Sequence, residues 1–182
     1  MRADARRNRE RVLTEARQMM KEDGVDVSLR EVARRAEVGI GTLYRHFPTR
    51  EALIRAALMD GIENLARWAE DSADAEDPGE KLVAWVRSFA LGAARYRGLP
   101  DHMLSAATDA SSNFYRICQT LTAPGEKLLA RAQATGEIRA DVTVDDLFAA
   151  VNAVGWVAQT GDRDRATTLL ELVLDGLRTR TA

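Results

Sequence analysis

Ala36-Glu37-Val38-Gly39-Ile40-Gly41-Thr42-Leu43-Tyr44-Arg45-His46-Phe47 is the stretch whose reading decides the fold. Ala36, Gly39 and Gly41 are small enough for two helices to meet at a tight turn. Val38 and Leu43 supply apolar contacts that lock them together. Pro48 disfavours further helix in the residue before it, so a short helix over Ile40–His46 is predicted. Immediately upstream, Ser28-Leu29-Arg30-Glu31 reads as a capping box, with the Ser hydroxyl accepting from the amide three residues on and Glu31 reaching back. Leu29, Val32, Ala33 and Ala36 then share the inner face of a second short helix. Before it, Val12, Leu13, Ala16, Met19 and Met20 recur at spacings of three and four, which predicts a helix over about 5–21 ended by Asp23-Gly24.

Three short helices, the last two joined by a tight turn, form a trihelical unit of helix-turn-helix type. In such a unit the third helix enters the major groove while its predecessor braces the backbone. The charge distribution points the same way. Residues 1–50 carry 12 Lys/Arg and 8 Asp/Glu, and residues 51–182 carry 14 and 20, within a net charge of −2. A basic segment on an acidic body suits a polyanion at one end, although solvated helix faces account for the charge equally well.

The remaining chain reads as helix throughout, without period-2 alternation or hairpin signals. Thr49 starts a long fourth helix reaching Ser72. Asp77-Pro78-Gly79-Glu80 starts a fifth, with Pro in the first turn. Two shorter helices are expected within 101–122, and another from Pro124 to Gly136. Thr143-Val144-Asp145-Asp146 caps the next helix, and the last runs over about 163–178. The predicted class is all-α. A helix-turn-helix head in 1–48 is joined by the fourth helix to a bundle in 49–182 that serves ligand binding and dimerisation.

Composition excludes several functions. Apolar residues make up 46% and charged residues 30%, a mixture that folds rather than stays disordered. No segment has the apolar length of a bilayer span, and the Arg-rich N-terminus lacks the apolar core of a secretory signal. One cysteine, Cys118, cannot make an internal disulfide, which favours a cytoplasmic setting. One Cys and two His, His46 and His102, leave no ligand set for structural zinc. No phosphate-binding loop, dinucleotide fingerprint or metalloprotease motif is present, and no cofactor is expected. Cys118 with His102 is the sole nucleophile–base pairing available, and a buried structural Cys is the stronger reading.

The segment quoted first, followed by Pro48-Thr49-Arg50-Glu51-Ala52-Leu53, resembles the DNA-binding signature of the TetR family of bacterial repressors. The resemblance covers residues 6–55. Beyond them it consists of length, helical character and the Gly136-Glu137-Ile138-Arg139-Ala140-Asp141-Val142 stretch. It implies phosphate contacts from Ser28, Thr42, Tyr44, His46 and Arg50, groups that donate to phosphate beside helix N-termini. Base reading falls to the exposed face of 40–45. Arg45 suits guanine, Ile40 and the Thr42 methyl suit a thymine methyl, and Gly41 lies between them. Arg6 and Arg7 reach toward a groove or phosphates. Two positions depart from the family pattern: Gly39 stands where a Ser usually caps the recognition helix, and Glu37 where a turn Gly is usual. A left-handed Glu37 would be disfavoured by ~1 kcal/mol.

The resemblance further implies a homodimer on a palindromic operator, released by a small apolar or aromatic effector. Candidate effector residues are Trp68, Trp85, Phe89, His102, Met103, Phe114, Tyr115, Cys118, Asn152 and Trp156. All serve equally as core. Phe148, Val151, Gly155, Leu169 and Val173 on the last two helices are the expected dimer contacts, because those helices are apolar on more faces than a monomer needs. Two rivals remain. One is a helical ligand-binding or interaction protein without specific DNA binding, favoured by Glu37. The other is a helical enzyme using Cys118 and His102.

Overall fold

A computed structural model describes residues 2–106 and 113–179, without the side chains of 2, 3, 104–106, 113 and 114. Among the described residues the chain forms nine helices. They are α1 (Arg2–Asp23), α2 (Leu29–Arg35), α3 (Ile40–His46), α4 (Arg50–Ser72), α5 (Pro78–Ala94), α6 (Leu99–Ala106), α7 (Asn113–Ala134), α8 (Val144–Gln159) and α9 (Arg163–Leu177). The sole extended pairing among them is one antiparallel bridge between Ile138 and Arg178. The class is all-α, with an N-terminal helix-turn-helix and a C-terminal helical domain.

Side-chain caps start four of the described helices, α2, α4, α8 and α9. Ser28 accepts from the Glu31 amide (3.5 Å), Thr49 from Ala52 (3.1 Å) and Asp162 from Arg165 (2.9 Å). Thr143 and Asp146 make a complete capping box, with bonds of 3.2 and 2.8 Å. The box expected at Ser28 is half made. Glu31 turns outward to the Arg34 and Arg35 guanidiniums instead of back to Ser28, because two cations hold a carboxylate better than one amide does.

One boundary differs from expectation. Pro124 sits inside α7 and does not start a helix. Proline costs an interior helix one amide bond. Here α7 continues across that gap, packed along α4. The Thr120 and Thr122 hydroxyls also donate back to the Arg116 and Cys118 carbonyls (both 3.1 Å).

A continuous core runs through both parts. In the head, Val12, Ala16, Met20, Val32, Leu43, Phe47 and Leu53 are buried together. In the body, Trp85, Phe89 and Phe148 interlock, with ring centroids 5.2–6.3 Å apart. The Trp85 indole N–H donates to the Leu65 carbonyl (3.2 Å), so this aromatic is fully satisfied inside. Trp85 and Phe89 therefore serve the core.

The dimer face expected from the sequence is largely corrected. Phe148 and Val151 are buried in their own subunit, and a Cβ on Gly155 would meet Pro100 at 3.0 Å. The exposed apolar positions along α8 are instead Ala149, Ala153 and Trp156, and Leu172 is exposed on α9. Leu169 and Val173 of α9 are half-buried.

Head and body meet at a second seam. The Val25 amide donates to the Arg97 carbonyl (2.8 Å), and the Arg97 guanidinium to the Asp23 carbonyl (2.7 Å). Gly24 lies at φ +97°, and a Cβ there would stand 2.8 Å from the Arg97 carbonyl oxygen, so this position needs glycine twice over. Gln159 of α8 grips the same 95–98 loop through the Gly98 amide (2.9 Å).

Candidate nucleic-acid interface

The α2–α3 turn is made as a helix-turn-helix requires. Val38 N–H donates to the Ala33 carbonyl (3.0 Å) and Glu37 N–H to that of Arg34 (3.1 Å). Glu37 takes φ 51°, the one non-glycine left-handed residue among those described. The Arg11 guanidinium holds its carboxylate at 3.0 Å, tying the turn to α1. The charge that stands where the family has glycine thus has a cation to meet it. Gly39 caps α3 without a side-chain bond.

On α3 the inward positions are Leu43 and the capping Phe47, and the outward ones are Ile40, Gly41, Tyr44 and Arg45. Ile40 is 39% and Tyr44 47% exposed, large apolar surfaces that a free head leaves uncovered. Thr42 and His46 are half-buried at the flank. Arg45 folds back along its own helix, donating to the Thr42 hydroxyl (3.0 Å) and Gly41 carbonyl (3.4 Å). It must swing out to reach a base edge.

Ser28, Leu29, Arg30, Tyr44, Arg50 and Glu51 line one open cleft beside this face. The start of the 23-residue helix α4 opens onto it, so its unpaired amides add positive potential to the guanidiniums. Three of the anticipated phosphate contacts, Ser28, Tyr44 and Arg50, meet here, whereas Thr42 and His46 are not part of the cleft. Arg30 was missed from sequence. Its signal was available, since it follows the Ser28 cap on the exposed side of α2.

Asp26 was missed as well. Its carboxylate lies 3.7 Å from the Arg50 guanidinium and 3.3 Å from His102 Nε2 of α6. One acid thus touches both a cation of the cleft and helix α6. His102 accordingly sits at the head–body junction.

Arg6 and Arg7 lie on α1, strongly exposed, and pair with Glu10 (3.2 Å) and Asp4 (2.6 Å). Arg35 bridges Glu22 (2.8 Å) and Glu31 (3.3 Å). The bonds from Arg34 first, then Arg35, hold the Glu31 carboxyl down at about 2.

Of the remaining effector candidates, Met103 is buried, Trp68, Tyr115, Cys118 and Asn152 are half-buried, and Trp156 is 56% exposed on the outer face of α8. The Phe114 side chain lies outside the described residues. Met103 and Cys118 touch through their sulfurs (4.0 Å). The Asn152 carbonyl oxygen is buried without a hydrogen-bond partner among the described residues. Burial pushes the Cys118 thiol up to about 11, which keeps it protonated and a poor nucleophile. Among the described residues no cluster of His, Cys, Asp and Glu suits a metal ion, and no helix is long and apolar enough to cross a membrane.

Known proteins match this arrangement. The family described as bacterial regulatory proteins, tetR family, matches residues 12–57, and that described as transcriptional regulator SbtR-like, C-terminal domain, matches 77–179. The crystal structure of a TetR transcriptional regulator from Streptomyces coelicolor is 36% identical, covers 95% of this chain and 99% of its own, and superposes with TM-score 0.66. The HTH-type transcriptional repressor KstR of Mycobacterium tuberculosis is 26% identical over 176 residues, 93% of this chain and 80% of that protein. The HTH-type transcriptional regulator UidR of Escherichia coli is 36% identical over 72 residues, 38% of this chain and only 37% of that relative's length. These are transcriptional regulators, not enzymes. The helix-turn-helix geometry and the two family matches, which together take in both ends of the molecule, make this chain a member of the TetR family of transcriptional regulators.

Proposed function

We propose that the protein is a homodimeric repressor that binds a palindromic operator and is released by a small apolar or aromatic effector. The carrying observation is the cleft where Ser28, Arg30, Tyr44 and Arg50 converge beside the exposed face of α3. Phosphates seat in the cleft and at the α4 N-terminus, fixing register. Ile40, Gly41, Thr42 and Arg45 then meet base edges, Arg45 after leaving its bonds to α3. Arg6 and Arg7 exchange their carboxylate partners for the DNA backbone, and His46 backs the flank. The repressor name of KstR, a relative along most of the chain, supports repression over activation.

The head comprises residues 1–48 and the body 49–182. Two heads must sit about 34–36 Å apart to read successive turns of one groove face. Ala149, Ala153, Trp156 and Leu172, with Leu169 and Val173 at the rim, form the dimer seam. The effector enters among Trp68, Met103, Tyr115, Cys118 and Asn152, where the unmet Asn152 oxygen accepts a polar group of the guest. Any displacement of α6 or α4 then alters how Asp26 divides between His102 and Arg50.

The test is selection of bound duplexes from random DNA, followed by affinity measured against salt. A recurrent inverted repeat with a steep salt slope is expected. Equal affinity for all duplexes would sink the reading in favour of a helical interaction protein. Trp156→Glu should leave a monomer in sedimentation, and a persistent dimer would move the interface elsewhere.

A further inference from the structure

A second cleft, of about 580 Å³, lies at the junction of head and body, lined by none of the residues of the cleft beside α3. Its floor and walls are small and apolar: Ala90 and Ala94 of α5, Val154 and Ala158 of α8, Ala166 and Leu170 of α9. Its rim is cationic, with Lys21 from α1, Arg95 and Arg97 from the end of α5 and its loop, and Arg163 from the start of α9. The single acid on the rim, Glu22, is already engaged by Arg35 (2.8 Å) and Gln18 (2.6 Å). Lys21, Arg95 and Arg163 have no ion-pair partner among the described residues, and Arg97 spends one nitrogen on the Asp23 carbonyl.

Helix geometry separates this cleft from the dimer face. At 100° per residue, Trp156 points about 200° away from both Val154 and Ala158, and Leu172 about 200° from Leu170. A partner seated on Trp156 and Leu172 therefore leaves the cleft open. It is equally distinct from the Met103–Cys118 neighbourhood on α6 and α7, neither of which contributes to it.

We propose that this cleft is a binding site for a small amphipathic anion, a carboxylate or phosphate head on a short apolar body. The volume lies within the roughly 300–1,000 Å³ of small-ligand sites. Guanidiniums from Arg95 and Arg163 suit a planar carboxylate or a phosphate in two-point fashion. The alanine-rich walls take an alkyl or ring segment, with Gln159 and Thr167 as the uncharged polar side chains among the lining residues. Because Lys21 belongs to the head and Arg163 to the body, an occupant bridges the two.

Calorimetric titration of the full chain with octanoate and octyl phosphate, against octanol as uncharged control, tests the proposal. Either anion should bind, more weakly as salt is raised, and octanol at least about tenfold more weakly than the anion. The double variant Arg95→Gln/Arg163→Gln, both exposed and expected to fold, should weaken the anion about tenfold or more. Arg131→Gln, an exposed cation on α7, should change nothing. Failure of both anions to bind, octanol binding as tightly as the anion, or unchanged affinity in the double variant would each overturn it. The variants also separate this site from any anion held in the interior of the body, which they do not touch.

Discussion

The head and the body put their aromatic side chains to opposite uses. On α3, Tyr44 stands half in solvent next to Ile40, while the adjoining Phe47 is buried under the Arg9 guanidinium, 5.7 Å above its ring. In the body, Trp85, Phe89 and Phe148 close on one another and leave little surface. The contrast follows from helix length. A seven-residue helix is too short to be stable by itself, so α2 and α3 hold their shape through caps, a tight turn and ion pairs at their margins. This leaves one whole face of α3 free for a ligand. The long helices α4, α5, α7 and α8 must bury broad faces against each other, and most of their large side chains are spent on that, with Trp156 and Leu91 left outside.

The largest expected effect lies in the body. Trp85→Ala removes a fully buried ring and its hydrogen bond to the Leu65 carbonyl, and should cost about 3–5 kcal/mol in denaturant unfolding. Tyr44→Ala on the head should change stability by about 0.5 kcal/mol or less. If Tyr44→Ala proved as damaging as Trp85→Ala, the division between outward and inward aromatics would fail.

Second in size is the DNA face. Arg50→Ala removes a charged hydrogen-bond donor, usually ~1.5–3 kcal/mol, and should weaken binding by roughly 10- to 100-fold for every sequence tested. Arg45→Ala should mainly relax base preference. An Arg50→Ala protein with altered preference and unchanged affinity for random DNA would exchange the roles assigned to the two residues.

The same contrast explains what was legible beforehand. The head's turn, its caps and the cleft residues Ser28, Tyr44 and Arg50 could be read from 28–50 because each depends on neighbours within a few positions. Ser28 caps three residues on, Phe47 follows one turn after Leu43, and Glu37 proved left-handed as its place in the turn suggested. The role of Asp26 is not legible locally because it depends on contacts with α4 and α6, whereas Arg30, exposed just after the Ser28 cap and Leu29, was legible and missed. In the body, apolar periodicity marked α8 and α9 as having surplus faces without telling which face turns inward. Phe148, Val151 and Gly155 were therefore assigned outward, when α5 and Pro100 claim them. Pro124 was taken as a helix start because its local preference is strong, and only the long α4–α7 seam overrides it.

A smaller effect probes the turn. Glu37→Gly relieves the left-handed strain of ~1 kcal/mol but loses the exposed Arg11 pair, usually ~0–1 kcal/mol. Glu37→Val loses the pair and adds a branched side chain at φ 51°, which is worse. Glu37→Gly should therefore be at least as stable as the native protein, and Glu37→Val less stable than both. Equal stability of the two variants would mean that the turn relaxes away from this conformation.

The smallest effect concerns the ionic margin that the short helices add to their few buried side chains. Glu31 has a carboxyl held down to about 2, by the Arg34 bonds first, against 4.5 for the free side chain. A carboxylate whose folded value is depressed stabilises the fold above its unfolded value and loses that contribution as pH falls through the interval below it. The advantage of the native head over Glu31→Gln should accordingly be constant above about pH 4.5, shrink between 4.5 and 2, and vanish below. The group is fully exposed, so the change is small and is best read as hydrogen exchange of the α2 amides in the two proteins at matched pH. Other carboxylates titrate in both proteins and cancel in the difference. A difference that stayed level across that interval would show that α2 is held by its buried Val32 and Ala33 alone. The head would then be stabilised as the body is, by what it buries.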